Sequence, residues 1–231
     1  MATIHDISGF QVFSGSEIGR AHVTAHRMLD LDRLERGHTL LGAWLDGRHG
    51  EGSDWVHIQW HMLVFELGVG DWENAYERFT EHVLPAGRDT DEAVTDAPAG
   101  LWRLALTAPS AVALPWSAVA APARARVLTE RTPYETLHDL LALAGPRDAE
   151  AIGRWVGNAE KNPGCDETLL GFGHAFLALA LGDLQTTVSR LERVLPRVST
   201  LGGSRAQNTL FEDIHRFARG PAPHSNVALA A

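Results

Sequence analysis

One device occurs twice in this sequence and governs what it can fold into: an apolar helix-forming run, a Gly-Asp pair, and a second run closed by proline. The first copy is HIQWHMLVFELGVGDWENAYERFTEHVLP, His57 to Pro85, hinged at Gly70-Asp71. In the second, GHAFLALALGDLQTTVSRLERVLPRV, Gly182-Asp183 holds the same place and Pro196 echoes Pro85. Glycine ends a helix readily because it takes left-handed backbone angles without steric cost, and an aspartate beside it can accept hydrogen bonds from the first N–H groups of the next helix. Each copy is therefore read as an antiparallel helical hairpin, and such units bury their apolar faces by stacking on one another.

The remaining chain agrees with this reading. Ser16 is placed to cap a helix running to Arg36, with Ile18, Ala25 and Leu29 on one face and His22 and His26 within it. A second helix, His38 to Asp46, ends at Gly47, and Arg48 to Gly52 form a loop. Ser53 is expected to cap a third helix whose inward side carries His57, Trp60, His61, Val64 and Gly68. Asp71 caps a fourth, where Trp72, Ala75, Tyr76, Phe79 and Val83 form a stripe. Ala86 to Asp96 reads as an acidic loop. A helix resumes over Ala97 to Leu106, Pro109 and Pro115 interrupt it, and helices return from Pro133 to about Arg219. Nothing alternates as a strand does. The expected fold is all-α, with an arm over residues 1–15, one helical-repeat domain over 16–219 and a loose tail over 220–231.

Composition excludes several functions. A net charge of -9, with Lys161 the single lysine among 20 basic residues, argues against nucleic acid, whose phosphates need concentrated cations. No apolar run is long enough to cross a bilayer, and MATIHDISGF lacks a signal-peptide pattern, so a soluble cytoplasmic protein without membrane partners is expected. One cysteine, Cys165, allows no intrachain disulfide and no thiolate metal cluster.

The hairpin is of tetratricopeptide type, and several short motifs follow one another in order. These are AHVTAH around His22 and His26, HIQWH around His57 and His61, LGVGDWENAYERFTEHVLP, Asp96 with LWRL, and LGGSRAQ before Phe211. Together they resemble the tetratricopeptide repeat protein 38-like family. The resemblance implies antiparallel hairpins in a short right-handed solenoid and names no reaction. Family members are typically longer, and this chain is similar to their C-terminal half. A related helical subunit or a second copy is therefore expected to cover its first hairpin, as a homo- or hetero-oligomer. Asn208 stands where the family's arginine is expected. The short chain also resembles the azabicycle-forming proteins of azinomycin-type natural-product biosynthesis. That likeness implies a ring closure in which Asp46 deprotonates an amine that displaces an internal sulfate.

The two His-x-x-x-His pairs are the chemistry-bearing feature, because residues four apart share a helical face and two such faces can converge. Three readings stand: histidines that fix helix packing by hydrogen bonds, paired imidazoles that hold zinc or iron, and a small-molecule pocket. Eight of the 12 histidines and four of the seven tryptophans lie within residues 1–82, a clustering that favours the pocket. No His-Glu-x-x-His pattern and no phosphate-loop lysine occur, so neither a metal nor another cofactor is expected. The catalytic candidates are Asp46, His26 and His61. The substrate-binding candidates are His22, His57, Trp44 and Trp60, with Ser204 and Arg205 as an anion site beside Gly202-Gly203. Against an enzyme acting on a small molecule stands a noncatalytic adaptor that binds a partner protein in its groove, because fold alone does not fix function.

Overall fold

Turn chemistry organises the structure, a computed structural model that describes residues 16–85, 94–109 and 112–220. The expected arm, most of the acidic loop and the tail beyond Gly220 lie outside the described residues. Among the described residues the fold is all-α, with no strand. The helices are α1 (Glu17–Asp30), α2 (Leu34–Leu45), α3 (Ser53–Gly68), α4 (Trp72–Arg78), α5 (Asp96–Thr107), α6 (Trp116–Arg126), α7 (Pro133–Ala144), α8 (Ala149–Ala159), α9 (Glu167–Leu181), α10 (Leu184–Val194) and α11 (Arg205–Ala218). No helix among them is long and apolar enough to cross a membrane.

The expected helix from Ser16 to Arg36 is divided. Asp32 adopts a left-handed φ of 53°, its N–H bonds to Leu29 O at 3.0 Å, and the N–H of Arg33 reaches Met28 O at 2.8 Å. This pair of bonds is a Schellman turn, which satisfies carbonyls that a helix end leaves bare. It recurs at Gly70-Asp71, at Arg147-Asp148 and at Gly182-Asp183, with left-handed φ values of 83°, 61° and 80° at the first residue of each. In the last three, the following aspartate also caps the next helix through its side chain. The repeated device thus turns four hairpins, α1–α2, α3–α4, α7–α8 and α9–α10.

Two further expectations shift. Gly52, not Ser53, is the N-cap of α3, and Ser53 is its first residue. The expected inward stripe on α3 is replaced by burial on all sides: Val56 to Leu63, Phe65 and Glu66 are all buried, while Val64 is half-buried and Gly68 exposed. A helix wrapped by neighbours carries no polar face, and α3 packs against α1, α2, α4 and α5. The α4 stripe holds, with Ala75, Phe79 and Val83 buried and Trp72 and Tyr76 packed against the core. That helix ends in a π-helical turn, Phe79–Val83.

Side-chain bonds tie neighbouring helices together. The indole N–H of Trp72 donates to Leu104 O at 3.0 Å, and that of Trp102 to Leu141 O at 2.8 Å. Glu66, almost fully buried on α3, accepts two bonds from Arg78 Nε and one from Arg78 Nη2, and Arg78 also donates to Gln59. Buried charges survive when paired this way. The last helix, α11, turns back to pack against α5 and touches α1.

Candidate functional site

The histidine pairs converge. α1 presents His22 and His26 one turn apart, α3 presents His57 and His61 likewise, and the two helices pack face to face. The Nε2 atoms of His22 and His26 lie 2.9 Å apart. Ring centroids are separated by 5.0 Å for His22 and His57, 5.1 Å for His22 and His61, and 4.6 Å for His26 and His61. Each imidazole offers one nitrogen, and the four nitrogens all lie within 4.8 Å of one another. Relative exposure is 0% for His61, 4% for His57 and 9% for His22, while His26 is half-buried.

Burial sets the protonation of two of the four. It holds the pKa of His22 down at about 3, with His57 and His26 adding to the effect. His61 is held well below the usual imidazole range, first by burial and then by its three neighbours and Arg103. Both are neutral near pH 7 and carry a lone pair.

One carboxylate joins them, and it lies on a helix and not in the loop that its acidic surroundings suggest. Asp96 is the buried first residue of α5, and its Oδ2 and Oδ1 accept from His57 Nδ1 at 3.0 and 3.1 Å. With Nδ1 donating, the lone pair of His57 resides on Nε2. Trp60 stacks parallel to His57, with centroids 5.5 Å apart and an interplanar angle of 6°. The Arg103 guanidinium sits 5.7 Å from the Trp60 ring, and its Nη2 donates to Ala206 O at 2.6 Å, tying α5 to α11. Asp96 stands shortly before LWRL in the sequence, and nothing local announces a partner 39 residues upstream.

The other candidates lie elsewhere. Asp46 is the exposed C-cap residue of α2 and does not join His26 and His61. It lines an open depression with Arg48, His49, Trp55, Gln59, Arg78 and His82. Burial, then the Arg78 charge, lowers the His82 pKa. Trp44 is half-buried beside Trp55, with centroids 6.1 Å apart, and takes no part in the quartet. Ser204 is a helix cap: its hydroxyl oxygen accepts from Gln207 N, and Gln207 Oε1 accepts from Ser204 N at 2.8 Å. These bonds occupy groups that an anion site would need. Arg205 is exposed and lines a cleft of about 720 Å³ with Arg103, Asp213 and Arg216. Asn208 donates to Gly202 O at 3.1 Å and pins the loop before α11.

No family model matches the sequence, and no solved structure matches the chain. What fold and site define is a class: an all-α protein of helical hairpins with a buried four-histidine cluster backed by a carboxylate.

Proposed function

We propose that this protein is an enzyme, or the subunit of one, that closes a ring on a small amine-bearing metabolite. The observation that carries this reading is the Asp46 depression, where a solvent-exposed carboxylate shares one surface with Arg48, His49, Arg78 and His82, beside the apolar wall of Trp55. Among the described residues no group is ion-paired to Asp46, so its lone pairs are available to a ligand. The π-helical turn after α4 presents His82 to this surface, and such turns are frequent at functional sites.

The concrete reaction, taken from the resemblance to azabicycle-forming proteins, is an intramolecular displacement with loss of sulfate. Asp46 accepts the amine proton, the nitrogen bonds to the carbon that bears the sulfate ester, and the C–O bond breaks to release sulfate. Imidazole N–H groups of His49 and His82 on this surface favour the leaving charge as it develops, and the Arg48 and Arg78 guanidiniums, bonded to Glu17 and to Glu66 and Gln59, add positive charge beside it. Holding amine and ester in one reactive conformer supplies the rest. Repetition of the same turn in four hairpins supports a tetratricopeptide-like, right-handed solenoid as the scaffold. Val23 on α1, Leu31 just after it and Leu40 on α2, all exposed, offer an edge on which a related helical subunit or a second copy would stack.

The test uses a linear amino acid carrying a terminal amine and a neighbouring sulfate ester, incubated with the protein alone and with the related subunit. Sulfate release and ring formation are followed together. Asp46→Asn is expected to lower turnover by about 10²–10⁴-fold without loss of helicity. Wild-type turnover in this variant, or no sulfate release under any pairing, overturns the reading.

A further inference from the structure

We propose that His22, His26, His57 and His61 bind a divalent first-row transition-metal ion, zinc foremost, which fastens α1 to α3. The inference stands apart from the ring-closing reading, since it uses other residues and needs no turnover to be tested.

His61 is the observation that points to a ligand. It has no exposure, and neither ring nitrogen has a hydrogen-bond partner. Buried polar groups are almost always paired, and an orphan requires an explanation. A histidine that only fixes packing looks different in this same protein. His138, also buried, donates from Nδ1 to Tyr134 O at 2.9 Å. The His61 ring packs among the three other imidazoles and the Trp60 ring, and an electrophile shared with His22, His26 and His57 gives one of its nitrogens a partner.

The donor set selects the ion. Four nitrogen donors suit zinc, copper, nickel or cobalt, whereas calcium and magnesium require oxygen. Around a tetrahedral zinc with bonds of about 2.0–2.1 Å, the nitrogens stand about 3.3 Å apart. The His22 and His26 Nε2 atoms, at 2.9 Å, are slightly closer than such an edge, and the widest separation in the quartet stays within 4.8 Å. Small rotations of imidazoles already in contact would close the set.

Asp96 completes the arrangement. A carboxylate on the far nitrogen of a ligating histidine fixes its tautomer and raises its basicity, a common partner of zinc-bound imidazole. Asp96 makes this bond to His57 Nδ1 and contributes the negative charge that a buried divalent ion needs. Half-buried His26 is the ligand nearest solvent, which provides a route of entry.

The experiment uses the full chain without an affinity tag, stripped with chelator and titrated separately with Zn(II) and Co(II). One equivalent of Co(II) is expected to produce the visible bands of tetrahedral nitrogen coordination. Zn(II) at about a hundred times its Kd should raise Tm by about 5–10 °C. His26→Ala should abolish both signals, and Asp96→Asn should weaken affinity by about 10–100-fold while keeping all four ligands. His38→Ala, outside the cluster, should leave both intact. Absence of the cobalt bands and of any zinc-dependent Tm shift in the wild-type chain overturns the proposal. Wild-type affinity in both His26→Ala and Asp96→Asn does the same.

Discussion

His138 is buried at the centre of α7, where its Nδ1–H donates to Tyr134 O and its ring meets Phe211. Burial outweighs the hydrogen bond and the attraction of Asp96, and brings its pKa down to about 4. In the unfolded chain an imidazole takes up a proton near pH 6.5; in the folded chain this one stays neutral down to about pH 4. Between those values the unfolded state binds the extra proton, so stability falls as pH falls, by up to about 1.4 kcal/mol per pH unit for this one group. His138→Gln, which keeps a polar side chain but cannot titrate, should remove that contribution. Urea midpoints followed from about pH 7 to pH 5 should therefore decline less steeply in the variant than in the wild type. Parallel declines would show that burial of this imidazole contributes nothing to acid lability.

Among the helical elements, the turns decide the architecture, and two of the four place an L-residue in the left-handed region. Asp32 is exposed, with φ 53°, and such an angle costs an ordinary side chain roughly 1–2 kcal/mol where glycine is unpenalised. Asp32→Gly is expected to stabilise the protein by about 1 kcal/mol, part of the gain being lost to the greater freedom of glycine in the unfolded chain. In a chain of this length that corresponds to about 2–4 °C in Tm, read by thermal denaturation. An unchanged or lower Tm would mean that the turn carries no such strain. Arg147 is a poorer target, because its Nε donates to Ala180 O at 3.1 Å and glycine would lose that bond. The same two residues explain how much of the fold was legible in sequence. Gly70-Asp71 and Gly182-Asp183 announce their turns through glycine; Asp32-Arg33 and Arg147-Asp148 make identical backbone bonds with no glycine at the left-handed position, and only the latter has a nearby breaker, Gly145-Pro146. α6 was hidden by Pro122, which lies inside it. The histidine pairs were legible because a four-residue spacing is a local signal. Their partner Asp96 was not, since contact across 39 residues depends on how α5 docks.

At the scale of the whole molecule, α3 divides two cores of unequal size. One runs from Trp60 and Leu63 through α5, α7 and α9 to Phe211 and Ile214 on α11. The other is small: Ala21, Ala25 and Met28 from α1, Leu41 from α2, and Ile58, Met62 and Phe65 from α3. In a strictly linear repeat array each unit would lean on its neighbours alone. Here α11 folds back on α5, and Arg103 bonds to Ala206 O across that contact, so α5 to α11 share one body of packing. The α1–α2 hairpin has fewer apolar side chains to hold it, and its flank against α3 shares that small core with the histidine quartet, whose rings contribute little hydrophobic energy. Stability should therefore be graded, since regions with few buried apolar contacts open without global unfolding. In the metal-free chain, native-state hydrogen exchange is expected to show α1 and α2 amides opening at lower free energy than those of α5, α7 and α9. Adding Zn(II) should raise protection in α1 and the first half of α3 selectively, because an ion held by both helices must be released before they part. Equal protection across all helices of the metal-free chain would contradict the two-core account. Zinc-dependent protection spread evenly over α9 and α10 would place the ion outside the quartet.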